Sequence, residues 1–558
     1  MARDLKAAPV PGTEAPRGAP QQYTPRRKEC LRSPAKSFHG KRGPGIFAWP
    51  LHPGGPTQMK RFPRRPSLLA LALALGLQAC GGPEAAPEAA VPNAVEESQT
   101  RVRAQDAAPD ILTQLQAIPG LAVLEAASPA PGVRFFLMSY DQPADHWHPN
   151  GARFLQRMTL LYRSAEAPMV LASTGYGISP FFSQYEPTRL LGGNQLLMGH
   201  RFFEPSGPTP ADWKLLSIEQ AAADHHRVVQ AFKPLFPGKW ISTGGSKGGM
   251  ASVYHRAFYP NDVDATVAYV APNSYGTKDP RYVRFLAKLG TPECREKIRV
   301  FQRETLERRA EVEPRFVETT QAQGLTYNML GVDKALEFTV LEFAFAFWQY
   351  GDASLCDAIP ARGGPAQDIV DFLDWVVGLS YMSDSDSEYY APYAFQAATQ
   401  LGSYDSEERH LRGVQRYPGQ YVPSALVPFD MTPYRFNPFA MPLIEGWVKA
   451  FGQRMLFIYG ENDPWSTGAF SVRASNDSYR FYVPGGNHGS GISQLPSAER
   501  AVALARLRDW AGLPPASAAA MEQRSLAVSS GEELVTTGAV DRRRGPPATD
   551  VSGAFGRP

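Results

Sequence analysis

Lys239-Trp240-Ile241-Ser242-Thr243-Gly244-Gly245-Ser246-Lys247-Gly248-Gly249-Met250 is the stretch on which the fold turns. A β-rich run, Lys239–Thr243, feeds straight into glycines and then into a helical pattern that begins near Lys247. Gly244-Gly245-Ser246-Lys247-Gly248 fits the G-x-S-x-G turn, in which a serine stands on a sharp strand-to-helix bend. Glycines on both sides permit a turn that a Cβ would obstruct, so the Ser246 hydroxyl is lifted above the sheet. The N–H of Lys247 then sits at a helix start, where donors have no intrahelical acceptor and can face a developing oxyanion.

A serine hydroxyl is a poor nucleophile without a base, and the base needs an acid to orient it. In this strand–turn–helix context the chain order is Ser, acid, His. The run Met455–Tyr459 ends in Gly460-Glu461-Asn462-Asp463-Pro464-Trp465, which nominates Asp463. Its competitor Glu461 lies closer to the strand. The run Ser478–Val483 ends in Pro484-Gly485-Gly486-Asn487-His488-Gly489. Of ten histidines, His488 alone sits in a Gly-rich loop just after a late strand. A second oxyanion donor is expected from a loop after an early strand. Ser173-Thr174-Gly175-Tyr176-Gly177 fits, through the N–H of Tyr176 or Gly177. This chemistry needs no cofactor and no metal.

Around that centre, short β runs precede the turn (Val133–Met138, Phe154–Tyr162, Met169–Ser173), followed by a helical pattern over Ile218–Phe232. Val267–Val270 reads as a strand covered on both faces. Residues 276–435 change character, with charged helical stretches, an aromatic helix over Leu336–Tyr350 and loops rich in Ser, Asp and Tyr. Strand and helix alternate again through Ala498–Trp510. The expectation is an α/β-hydrolase fold with a mainly helical lid insertion: core 106–275, lid 276–435 and core 436–514.

The amino-terminal region reads differently. Residues 1–65 hold fourteen Lys/Arg and three Asp/Glu, so the other 493 residues carry −8 although the whole chain is +3. Positive charge outside the folded part argues against a nucleic-acid partner. Residues 1–58, rich in Pro, Gly and Arg, read as a disordered leader or a start-site artefact, with Met59 the true start. Basic residues through Arg65, an apolar run Leu68–Leu77 and Leu77-Gln78-Ala79-Cys80 describe a lipoprotein export signal over 59–79. Cys80 would carry lipid and anchor the chain to a membrane, with 80–105 as an Ala/Pro/Glu-rich tether. Localisation would be the cell envelope, or secreted. Residues 515–558 read as a disordered tail. The 43% hydrophobic and 11% aromatic content excludes a wholly disordered chain.

With Cys30 in the leader and Cys80 lipidated, the two remaining cysteines of an exported chain, Cys294 and Cys356, suggest a disulfide closing a loop of about 60 residues, with two buried thiols as the alternative. Three features read as structural. Adjacent residues on a helix point about 100° apart, so Asp224-His225-His226 cannot chelate jointly. Asp384-Ser385-Asp386-Ser387-Glu388 reads as a solvated loop, since it lacks the glycine and distal glutamate of a calcium loop. Phe343, Phe345, Phe347, Trp348 and Tyr350 read as helix core, with a proline-binding wall as the alternative.

Gly244-Gly245-Ser246-Lys247-Gly248-Gly249-Met250, with Phe258-Tyr259-Pro260 and Val267-Ala268-Tyr269-Val270-Ala271-Pro272-Asn273, resembles the secreted bacterial tripeptidyl aminopeptidase family. That family is similar to prolyl-specific serine peptidases such as lysosomal prolylcarboxypeptidase. His200-Arg201-Phe202-Phe203 and Phe395-Gln396-Ala397-Ala398-Thr399 fit it too, and the resemblance spans about 110–512. It implies Ser246, Asp463 and His488 as nucleophile, acid and base. It also implies release of short peptides from free amino termini, with proline favoured at the scissile bond. Gly199 and Gln400 stand where prolyl-specific relatives carry Glu. A free α-amino group would need a buried acidic or carbonyl partner, and Glu204 is the nearest candidate. Esterases and lipases use the same fold, and a binding protein with a relic triad is a third reading.

Overall fold

The computed structural model of the protein describes residues 109–128 and 130–517. The leader, the signal segment, Cys80, the tether and the tail beyond Ser517 lie outside the described residues. The strands are β1 (Leu121–Ala126), β2 (Arg134–Pro143), β3 (Arg153–Tyr162), β4 (Met169–Ser173), β5 (Asn194–Met198), β6 (Trp240–Gly245), β7 (Ala265–Tyr269), β8 (Met455–Gly460) and β9 (Tyr479–Val483). They form one sheet in the order β1-β2-β3-β5-β4-β6-β7-β8-β9. β1, β2 and β3 pair antiparallel, as do β3 and β5; from β5 to β9 every pairing is parallel. This is an α/β-hydrolase fold.

Strands β4 to β8 are buried at every position, which is why their sequences show no alternation of apolar and polar residues. The helices of the core are α1 (Ile111–Gln116), α2 (Glu186–Leu191), α3 (Ile218–Phe232) and α4 (Lys247–Phe258). In α3 the Ser217 hydroxyl caps the first turn by accepting from Gln220 N at 3.2 Å. The face bearing Val228, Val229 and Phe232 packs on the sheet with Phe136 and Leu171.

Between β7 and β8 the regular elements are helical: α5 (Arg281–Leu286), α6 (Pro292–Glu307), α7 (Arg309–Ala322), α8 (Val332–Tyr350), α9 (Ala366–Val376) and α10 (Asp384–Gln396), then α11 (Ala440–Phe451). The last helix, α12 (Ser497–Trp510), follows β9. The inserted helices bury an apolar core of their own, in which Phe301, Phe343, Phe347, Trp348 and Phe372 meet. A disulfide joins Cys294 of α6 to Cys356, with Cα atoms 5.4 Å apart.

One expectation is corrected here. The run 384–388 is the first turn of α10, not a solvated loop. Ser383 caps that turn through Asp386 N, and the Asp384 carboxylate accepts from Asn328 N and Met329 N at 2.9 Å each. Acidic side chains are favoured at a helix start, where backbone donors are open, so a charge-rich stretch there is ordered. Asp386 is 2% exposed.

The motifs Asp224-His225-His226 and His200-Arg201 turn out to be framework. Arg201 forks onto the Asp224 carboxylate with two contacts of 2.7 Å and donates to the Ala144 and Leu215 carbonyls. Both side chains are almost fully buried. Burial would raise the Asp224 pKa, but the Arg201 guanidinium outweighs it and holds the carboxyl below its ordinary value. His225 donates to Ala221 O, while His226 meets Asp262, so the three neighbours diverge. Replacing Arg201 by Met removes the fork from a buried carboxylate and leaves it only the His146 ring, whose Nε2 lies 2.7 Å from Oδ1. Arg201→Met is expected to lose about 3–5 kcal/mol of unfolding free energy in a urea titration, and a loss under ~1 kcal/mol would contradict this account.

Candidate active site

The order of the sheet reverses at β4 and β6, which are neighbours although β5 separates them in sequence. Loops leaving the carboxyl ends of two such strands diverge and open a crevice. Here those loops are the Thr174–Gly177 turn and the Ser246 elbow. Ser246 adopts φ 51° and ψ −123°, a conformation that L residues avoid. It is held there because β6 is fully buried and Ser246 N donates to Tyr269 O at 2.9 Å. A methyl on Gly248 would stand 2.2 Å from the Ser173 carbonyl oxygen, and one on Gly244 would stand 2.3 Å from the Gly248 carbonyl carbon. No residue but glycine fits either position.

Asp463 and His488 leave the ends of β8 and β9, which pair in parallel as far as Gly460 and Val483. The Asp463 Oδ2 atom lies 2.7 Å from His488 Nδ1, with both side chains buried. Oδ1 of the same carboxylate accepts from Trp465 N at 3.0 Å, so the acid is fixed from two directions. Glu461 instead accepts from Gly485 N at 2.9 Å on the surface. His488 Nε2 is buried and has no hydrogen-bond partner among the described residues. Ser246 and His488 are therefore presented at the same edge of the sheet without a hydrogen bond between them.

Three contacts to this centre are not encoded in any local motif. The His488 N–H donates to Gln349 O at the end of α8, and Asn487 Nδ2 to Gly351 O. The rings of Tyr350 and Trp465 stand 6.3 and 6.4 Å from the imidazole. The third is the Lys247 side chain, which is buried and donates from Nζ to Gly175 O at 2.6 Å, over the rings of Tyr176 and Phe203. Burial pushes its pKa well below the ordinary lysine value. Lys247 thereby ties the elbow to the turn after β4 by its side chain, while its N–H opens α4.

Other expected positions fall differently. Tyr176 N–H donates to Thr174 Oγ1 at 3.0 Å, and a Cβ on Gly177 would stand 3.3 Å from the Tyr389 hydroxyl. Glu204 is exposed, so the buried acidic partner expected there is absent. Asp386 and Glu342, on the inserted helices, are buried carboxylates. Gln400 accepts from Ile218 N and so serves the start of α3, while Gly199 is enclosed by Ile178, Ser206 and the Arg157 carbonyl. Phe345 turns away from the core of the insertion and packs on Trp465, with ring centres 4.9 Å apart.

A strained serine on a strand–helix turn, with a buried Asp–His pair two and three strands away, defines a serine hydrolase of the α/β-hydrolase class. Residues 104–542 match the family described as PS-10 peptidase S37, and the chain belongs to that family of serine peptidases. It is 44% identical over 411 residues to the prolyl tri/tetrapeptidyl aminopeptidase of Streptomyces mobaraensis, covering 73% of this chain and 86% of that one. Among solved structures it is similar to a proline iminopeptidase from Mycobacterium smegmatis, at TM-score 0.29 and 14% identity, over 70% of this chain and 99% of that one. It is also similar to carboxyl esterase 2 from Tuber melanosporum, at TM-score 0.29 and 10% identity, over 79% of this chain and 97% of that one.

Gly460 sets the spacing of the acid and base loops. A methyl there would stand 2.3 Å from Asn487 O and 2.5 Å from Gly486 O. Backbone carbonyls yield little, so Gly460→Ala is expected to destabilise the protein by about 1–3 kcal/mol, as overpacking does. Calorimetry checks this; an unchanged Tm would show that the His488 loop is free to move.

Proposed function

We propose that the protein releases short peptides from free amino termini, favouring proline next to the scissile bond, through an acyl-enzyme on Ser246. The observation that carries this reading is the Asp463–His488 pair set beside the strained elbow, in a chain 44% identical to a peptidase named for tri- and tetrapeptide release. Ser246 Oγ attacks the scissile carbonyl carbon while its proton passes to His488 Nε2. Asp463, bonded to Nδ1–H, orients the ring and stabilises its positive charge. The oxyanion is held by the Lys247 N–H and a donor of the Gly175–Gly177 turn, which the Lys247 ammonium or amine steadies through Gly175 O. The C–N bond then breaks, and His488 returns the proton to the departing amine. Water, deprotonated by His488, attacks the ester carbonyl; the bond from that carbon to Ser246 Oγ breaks, His488 returns the proton to Oγ, and the amino-terminal peptide leaves with a free carboxylate.

Nucleophile and base act as a unit, so their losses do not add. Ser246→Ala and His488→Ala are each expected to lower kcat by several orders of magnitude on an amino-acyl-proline arylamide, with the double variant little worse. Near-normal turnover by His488→Ala would assign the base elsewhere. Short p-nitrophenyl esters turned over far better than any peptide would favour the esterase reading instead.

The same proposal places the protein outside the cytoplasm, anchored at Cys80 by lipid, because the segment from Met59 to Cys80 has the charge and apolar pattern of a lipoprotein signal. Each methylene buried in a bilayer contributes ~0.8 kcal/mol, so a diacylated cysteine suffices for attachment. A chain begun at Met59 is expected to partition with membranes, and Cys80→Ser to be released in soluble form. Mass spectrometry of the mature amino terminus decides this, and an intact peptide running from Leu77 to Pro83 would overturn it.

A further inference from the structure

Between α10 and the Asp463 loop lies a pocket. Its lining includes Tyr390 and Tyr393 of α10, Tyr404, Tyr421, Trp465 and the buried Asp386. No Lys or Arg lines it among the described residues. Asp386 is held in place by Ser380 Oγ, which donates to Oδ2 at 3.0 Å. Behind the rings a second carboxylate, Glu342, is fully buried and accepts from the hydroxyls of Tyr404 and Tyr421. Aromatic faces carry negative quadrupole charge and attract cations, most strongly where water is excluded. The cavity thus offers a carboxylate and several π faces to a cation, with no positive side chain in its wall to repel one. A second cavity in the insertion is lined by Arg295 and Arg299 together with Asp405 and Glu407, so it carries both signs of charge.

The first cavity also borders the reaction centre on two sides. Tyr390 and Tyr393 each pack on Tyr176 of the turn after β4, with ring centres 6.0 Å apart. Trp465 is the other boundary, 6.4 Å from the His488 ring. Three extended residues span ~10 Å at 3.3–3.6 Å each, so the first residue of a tripeptidyl group would lie deep in a pocket that begins at the scissile bond.

We infer that this cavity receives the α-ammonium end of the substrate, with Asp386 as its counter-ion and Tyr390 and Tyr393 as the rings over it. The inference rests on the aminopeptidase reading above and names the residues that select a free amino terminus. A carbonyl or hydroxyl could hold an acetylated terminus as readily as a free one. A desolvated carboxylate cannot, because the neutral amide leaves its charge unpaired.

The test compares kcat/KM on one proline-containing tetrapeptide arylamide with a free or an acetylated amino terminus. For the natural chain the free form is expected to be ~10²-fold better, the usual scale for losing one partner of a buried charge pair. Asp386→Asn keeps the shape and removes the charge, and should bring that ratio close to unity, chiefly by raising KM for the free peptide. Tyr390→Leu leaves the carboxylate in place and should lower the ratio about 3- to 10-fold through loss of the ring face; it decides the matter if Asp386→Asn does not fold by circular dichroism. If the natural chain discriminates and both variants keep its ratio, the assignment of this cavity is overturned while the aminopeptidase reading stands. If the natural chain cleaves both peptides equally, the aminopeptidase reading itself falls.

Discussion

Around Ser246 two stretches of backbone pass each other with no space for a single methyl group. Gly248 lies under the Ser173 carbonyl, Gly244 under Gly248 itself, and Gly175, at φ 75° in the left-handed region that favours glycine, would put a Cβ 2.4 Å from Gly248 N. This contact exists because β4 and β6 are adjacent at the reversal of the sheet. Once it is made, Ser246 has no relaxed conformation available, and a residue in such a region costs about 1–3 kcal/mol. Burial of β6 and α4 offsets that cost: β6 is buried throughout and α4 through Arg256. The Lys247 side chain adds a bond across the same junction. The acid and base loops obey a similar rule at Gly460, where the approach of the Gly486 and Asn487 carbonyls leaves room for hydrogen only.

The inserted helices are built on different physics. They fold around aromatic residues of their own, and the Cys294–Cys356 disulfide restricts the unfolded chain between α6 and the segment after α8. Their other face is functional in character, because α8 and α10 turn Phe345, Tyr390 and Tyr393 toward Trp465 and Tyr176. The insertion therefore supplies part of the wall around the reaction centre, while the sheet supplies the nucleophile.

Much of this was legible in the sequence for a plain reason. A nucleophile turn is local: glycine spacing, a preceding β run and a following helical pattern all lie within a dozen residues. The loops carrying Asp463 and His488 were legible in the same way, as polar and glycine-rich ends of apolar runs. What could not be read depended on partners distant in the chain. His200-Arg201 was noted only as part of the family resemblance, and its role depends on distant partners: Arg201 spends its guanidinium on Asp224 and two carbonyls. The run 384–388 looked solvated because charge and serine suggest a loop; only the donors on Asn328 and Met329 make it the start of a helix. Glu204 was close to a motif in sequence but faces solvent, whereas Asp386 and Glu342 are buried on helices with no motif at all. Strand β5, Asn194–Met198, did not stand out because its first two positions are polar.

The hydrogen bond from His488 N–H to Gln349 O has a consequence for how such enzymes diverge. A roof that merely covers a reaction centre can be trimmed or exchanged, and the chemistry beneath survives with broader tolerance. Here the carboxyl end of α8 is a strut for the loop that carries the imidazole. Loss of the insertion would slacken that loop as well as uncover the crevice, so selectivity and catalytic competence are inherited together. A change of selectivity that spares catalysis therefore has to come from side chains on the inner surface of the insertion, with its attachment to the histidine loop kept.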